Sequence, residues 1–144
     1  MNTTDTQTGV RRVTAYLCAK GAAEAVAFYA RAFGATEGYR FTMPDGRIGY
    51  TELTIGGSTL MLSDEAPELG VLSPRSLGGN STSFVVEVED ADAAFQRALD
   101  AGATVERPLK DEPYGRAGWV VDPFGHRWSI MTPTPDFDPA QMQP

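Results

Sequence analysis

The sequence predicts an α+β fold: two tandem β-α-β-β-β modules whose strands form a curved mixed sheet around a trough. Two observations carry this. AEAVAFYARAFGAT (23–36) aligns with ADAAFQRALDAGAT (91–104) at a constant offset of 68, and the same offset carries Gly57 onto Gly125. The elements around each copy then follow in the same order.

The first apolar strand is VTAYLCA, matched later by SFVVEV. An Ala-rich helix comes next in each half. Its bulky residues recur at helical spacing: Val26, Tyr29 and Phe33 in one, Phe95 and Leu99 in the other. Gly34 and Gly102 stand where a glycine ends a helix. The strands TEGYRFT and TVERPL follow, then the turn segments MPDGR and DEPYGR. A hairpin closes each half: IGYTELTI-GG-STLMLS and GWVV-DPFG-HRWSIM. Between the halves lies a stretch rich in Pro, Gly and Ser. The expected organisation is a disordered tail at 1–9, one domain at 10–132 and a C-terminal tail at 133–144. Within the domain, the modules occupy 10–64 and 81–132, and a linker occupies 65–80.

Composition narrows the function classes. The net charge is −7, from 12 Lys and Arg against 19 Asp and Glu. That argues against nucleic acid, which wants a basic face, and suits a cationic ligand or plain solubility. No run is long and apolar enough to suggest a membrane span. The N-terminal stretch has no apolar signal core, so a cytoplasmic location is expected. The one cysteine, Cys18, allows no internal disulfide and no zinc site built from cysteines.

One helix covers one face of each module's sheet, so the other face stays open. Two open faces side by side make a trough, and a concave trough with a few polar groups is the usual small-molecule site. Two ferredoxin-like units packed otherwise remain the alternative. The stretches AYLCAKGAAEAVAFYARAFGA, MPDGRIGYTELTIGGSTLMLSDE, SPRSLGG and VEVEDADAAFQRALDAGATVERPLKDEPYGRAGWVVDPFGHRWSI resemble the vicinal oxygen chelate superfamily: glyoxalases, bleomycin-resistance proteins and extradiol dioxygenases. The resemblance is nearest to the PhnB-like branch and covers nearly the whole chain outside the tails. AFYARAFGA and DPFGHRW together carry it. It implies the glyoxalase/bleomycin-resistance fold, in a homodimer, and does not fix a reaction.

The superfamily's enzymes hold a divalent metal with His, Glu or Gln from the first and last strands of each module. The resemblance places those positions at Thr14, Met61, Ser83 (or Thr82) and Ser129. These are poor ligands for a hard or borderline cation, so no metal site and no cofactor are expected. PhnB-like chains often carry His-Ala-Glu on the strand after the PDG turn, where this chain has Tyr50-Thr51-Glu52. Glu52 and Tyr50 are therefore the candidate catalytic pair, with a divalent metal as the alternative cofactor.

Strand alternation puts Tyr16, Cys18, Tyr50, Glu52, Met61, Glu87, Arg127, Ser129 and Met131 on the open faces, with Tyr114 closing one end. Trp119 is expected to face its helix, by analogy with Leu53, while Gly118 leaves room in the trough. The single histidine, His126, is expected on the core side, pinning the DPFG turn. Nothing at fixed spacing activates Cys18 as a nucleophile, and neither a P-loop nor a Ser-His-Asp arrangement is present. The leading expectation is a metal-free protein binding a hydrophobic or cationic organic molecule, as in antibiotic resistance. The alternatives are a glyoxalase-like lyase or isomerase using Glu52, and an accessory dimer with no ligand.

Overall fold

The computed structural model describes residues 8–142. The expected N-terminal tail at 1–9 lies outside the described residues apart from Thr8 and Gly9. The first module runs β1 (Tyr16–Ala19), α1 (Ala22–Phe33), β2 (Thr36–Thr42), β3 (Ile48–Ile55) and β4 (Ser58–Asp64). A short helix, α2 (Pro74–Leu77), interrupts the connection. The second module runs β5 (Ser83–Glu87), α3 (Ala91–Ala101), β6 (Thr104–Glu112), β7 (Gly115–Val121) and β8 (Arg127–Pro133).

Each module forms one four-stranded mixed sheet, in the orders β1-β4-β3-β2 and β5-β8-β7-β6. In each, the first strand pairs in parallel with the last and the other pairings are antiparallel. This is the α+β architecture of paired β-α-β-β-β units that the sequence predicts.

The helices form where small residues meet a few large ones. Helix α1 buries Ala22, Ala25, Phe28, Tyr29 and Ala32. Phe28 and Tyr29 are buried outright, whereas Val26 and Phe33 are only partly covered. Full burial of such a ring stabilises the fold by roughly 1.5–3 kcal/mol. The N-terminus of α1 is capped from another strand. The Asp64 carboxylate accepts from Ala22 N at 2.8 Å and from Gly21 N at 3.2 Å. Helix α3 is capped locally by Asp90, which accepts from Ala93 N at 3.1 Å.

The helices pack on each other, and both modules share one core. Arg97 Nε donates to Arg31 O at 2.6 Å across the helix pair. A buried polar link between the modules is Asp122, in the β7–β8 turn. Its carboxylate accepts from the Tyr29 hydroxyl at 2.5 Å, Trp128 Nε1 at 2.9 Å, Phe124 N at 2.8 Å and His126 N at 3.0 Å.

His126 is buried, and its Nε2 lies 2.8 Å from Cys18 O on β1. The carbonyl can only accept, so Nε2 carries the proton. His126 therefore joins the modules, and Asp122 pins the turn that the sequence reading assigned to the histidine. Gly125 ends that turn at φ 95°, a conformation that side chains disfavour.

Trp119 and Gly118 reverse the sequence expectation. A Cβ on Gly118 would meet Phe95 of α3 at 2.6 Å, so Gly118 faces the helix. Trp119 pairs with Ser129 and lies under the Arg127 guanidinium, 4.7 Å from the ring centroid. The physical reason is the turn length. Five residues (122–126) join β7 to β8, against two (56–57) between β3 and β4. The core residue matching Leu53, which sits opposite Leu60, is thus Val120 opposite Trp128. The C-terminal segment is tied down after β8, where Thr134 N donates to Tyr114 O at 2.9 Å.

Candidate functional site

The open face of the first sheet carries a row of tyrosines. Tyr16 on β1 and Tyr50 on β3 have ring centroids 6.1 Å apart, and Tyr39 on β2 lies 6.1 Å from Tyr50 on the other side. The Tyr16 hydroxyl donates to Gly49 O at 3.0 Å, which holds its ring over the sheet. The Tyr50 hydroxyl donates to the Glu52 carboxylate, two residues along the same strand. Met61 pairs with both Tyr16 and Glu52 and completes the patch.

Tyr39 was not legible as a site residue. It reaches this face through a β-bulge. Glu37 pairs with Leu53 and Arg40 with Thr51, so Gly38 and Tyr39 together oppose Glu52. Gly38 lies against Glu52, where an added Cβ would make only ordinary contact, 3.7 Å from Glu52 Oε1.

Tyr16 continues into a pocket of about 400 Å³ lined by Cys18, Met43, Ile48, Leu69 and Val71. Its wall is the connection after β4, which the sequence reading treated as linker alone. Arg47 fastens that segment down. Its guanidinium meets Glu68 at 2.9 Å, Glu65 O at 3.1 Å and Asp45 at 2.8 Å. Glu65 holds the next stretch, accepting from Ser73 Oγ at 2.7 Å, Ser73 N at 2.9 Å and Ser76 Oγ at 2.5 Å. These donors, Ser76 and then Ser73, lower the Glu65 carboxyl to about 2.

The electrostatics disfavour nucleophilic chemistry. Burial, with Glu65 and then Asp64 nearby, raises the Cys18 thiol to about 11. The hydrogen bond to Glu52, followed by partial burial, raises the Tyr50 phenol to about 12, so it stays protonated and donates.

The second sheet carries the remaining sequence-predicted residues on its own open face. Arg127 pairs with Glu106 at 2.6 Å and donates to Ser83 Oγ at 2.5 Å. Ser129 is buried between Val85 and Trp119. Glu87 pairs with Met131. Arg107 stands 5.9 Å from the Trp119 centroid on its other flank. Tyr114 lies at the β6–β7 turn, away from the pocket that Tyr16 and Cys18 line. The structure therefore brings Tyr16, Cys18, Tyr50, Glu52 and Met61 together, and gathers Glu87, Arg127, Ser129 and Met131 on the other sheet.

The donor set does not fit a divalent metal. Thr14, Met61, Ser83 and Ser129 offer hydroxyls and one thioether, and the Ser83 hydroxyl already faces the Arg127 guanidinium. Among the described residues, no three His, Cys, Asp or Glu side chains are grouped to hold an ion. No helix among them is long and apolar enough to cross a membrane.

Comparison with known proteins agrees with this architecture. An uncharacterized protein, Mb0911c, from Mycobacterium bovis is 42% identical over 132 residues, covering 89% of this chain and 87% of that protein. The crystal structure of the Arabidopsis thaliana At5g48480 product superposes with a TM-score of 0.70 at 28% identity, covering 85% of this chain and 98% of that one. A PhnB protein from Bacillus cereus shares the fold, with a TM-score of 0.63 at 21% identity over 84% of this chain and 98% of that one. The profile of one family matches residues 10–130. The chain belongs to the Glyoxalase/Bleomycin resistance protein/Dioxygenase superfamily.

Proposed function

We propose that this protein binds a small hydrophobic or cationic organic molecule, without a metal or other cofactor. The observation that carries the reading is the pocket of about 400 Å³ running from the tyrosine row beneath the strapped 65–71 segment. Its walls are mostly apolar, its only thiol is kept protonated, and among the described residues no metal-binding set adjoins it. Such a pocket gives shape and hydrophobic contact rather than a reacting group. Met43 and Met61 adapt to varied ligand shapes. Drug sequestration, as in antibiotic resistance, fits this chemistry. In this reading the protein is a cytoplasmic homodimer, and a monomer by light scattering at micromolar concentration contradicts that part.

A ligand panel read as melting-temperature shifts, on chelator-treated protein, tests the proposal. A binder at a hundredfold excess over Kd stabilises by about 2.7 kcal/mol. A flat panel favours an accessory dimer with no ligand. One observation favours a second reading, a glyoxalase-like enzyme using Glu52. Glu52 pairs across the strands with Met61, the position where the superfamily's enzymes carry a ligand. A full equivalent of Zn, Ni, Mn or Fe, lost on Glu52→Ala, selects that reading.

A further inference from the structure

We propose that Tyr16, Tyr39, Tyr50 and Glu52 form a subsite for a quaternary ammonium group on the ligand. The proposal rests on the binding reading above and names the ligand's charged end. Two features point to it.

First, the rings form a continuous shelf. Tyr50 touches a neighbouring ring on each side, and the outer two remain open to solvent, Tyr16 at 54% and Tyr39 at 61% exposure. Phenol faces attract a cation through the ring quadrupole, most strongly where the cation is loosely hydrated.

Second, the shelf holds a carboxylate that meets no cation. Glu52 accepts from the Tyr50 hydroxyl and, among the described residues, forms no ion pair. The other acids around the pocket are engaged. Glu68 and Asp45 pair with Arg47, Glu65 is held by the two serines, and Asp64 caps α1. Among the described residues, Glu52 is the carboxylate beside the tyrosine row that forms no ion pair.

A fully alkylated nitrogen asks for no hydrogen bond and is met by ring faces and one carboxylate. Its apolar body then extends past Tyr16 into the pocket, since Tyr16 belongs to both.

Choline and its neutral isostere 3,3-dimethyl-1-butanol test this, because they differ only in nitrogen for carbon. Each is titrated into the full chain carrying labelled tyrosine, and the ring signals are followed by NMR. The chain has five tyrosines. Buried Tyr29 and Tyr114, at the β6–β7 turn of the second module, serve as internal references. Choline is expected to move the Tyr16, Tyr39 and Tyr50 signals saturably, leave the references in place, and bind at least about threefold tighter than the isostere. Glu52→Gln is expected to remove most of that preference. Glu89→Gln, which deletes the same charge at an exposed site, leaves it intact.

Equal shifts from the two probes overturn the proposal, as do shifts shared by Tyr29 and Tyr114. If a second copy of the chain covers the row instead, choline leaves the rings unmoved and their signals change on dilution, which also overturns it. A panel hit by a neutral compound alongside any of these failures removes the cation subsite and leaves the binding reading standing.

Discussion

The Tyr29 hydroxyl and the Asp122 carboxylate, 93 residues apart in sequence, meet at 2.5 Å in the buried seam between the two modules. The carboxylate also takes the Trp128 indole N–H and two backbone N–H groups of its own turn. One residue thus sets the turn and ties α1 of the first module to the second module. Asp122→Ala leaves four donors without this acceptor and is expected to destabilise the fold by about 3 kcal/mol or more. Tyr29→Phe removes one donor and is expected to cost about 1–2 kcal/mol. Urea unfolding of the two variants checks the order, and equal losses would contradict it.

The seam separates what the sequence discloses from what it hides. The repeat of helix and hairpin was legible, because helical spacing and strand alternation write the core into the order of residues. The open-face positions of Tyr16, Tyr50 and Glu52 follow from the same alternation. Three features were not legible. The bulge that brings Tyr39 beside Glu52 depends on strand pairing. The side occupied by Trp119 depends on a turn three residues longer than its counterpart, which shifts the correspondence by one residue. The pocket wall comes from the 65–71 connection, whose place depends on Arg47 reaching it from the PDG turn. Each is long-range, and local pattern carries no record of it.

Cys18 is expected to react slowly with thiol reagents. With its thiol raised to about 11, only roughly a thousandth is thiolate at pH 8. Alkylation by iodoacetamide should run far slower than for a free cysteine and accelerate on unfolding in urea. Rapid modification of the folded chain at pH 8 would contradict the burial of the thiol beside Glu65 and Asp64.

The strap over the pocket is expected to loosen in acid. The Glu65 carboxyl is lowered from an ordinary 4.5 to about 2 by the serine donors. Its stabilisation is therefore complete above about pH 4.5 and is lost as the pH falls towards 2. Hydrogen exchange at Ser73 and Ser76, corrected for intrinsic rates, should speed up over that window in the wild type. In Glu65→Gln it should already be fast at pH 6. An unchanged profile in the variant would show that the serines are held by something else.

The proposed pocket is expected to bind an organic ligand through its own side chains. The most direct test is the melting temperature of chelator-treated protein across a panel of hydrophobic and quaternary-ammonium compounds, with and without added Zn, Ni or Mn. At least one compound is expected to raise the melting temperature in the presence of chelator, by about 5–10 °C at a hundredfold excess over Kd. Added metal is expected not to enlarge the shift, and Tyr16→Ala to abolish it. A shift that appears only when metal is restored, and disappears with Glu52→Ala, would contradict the account.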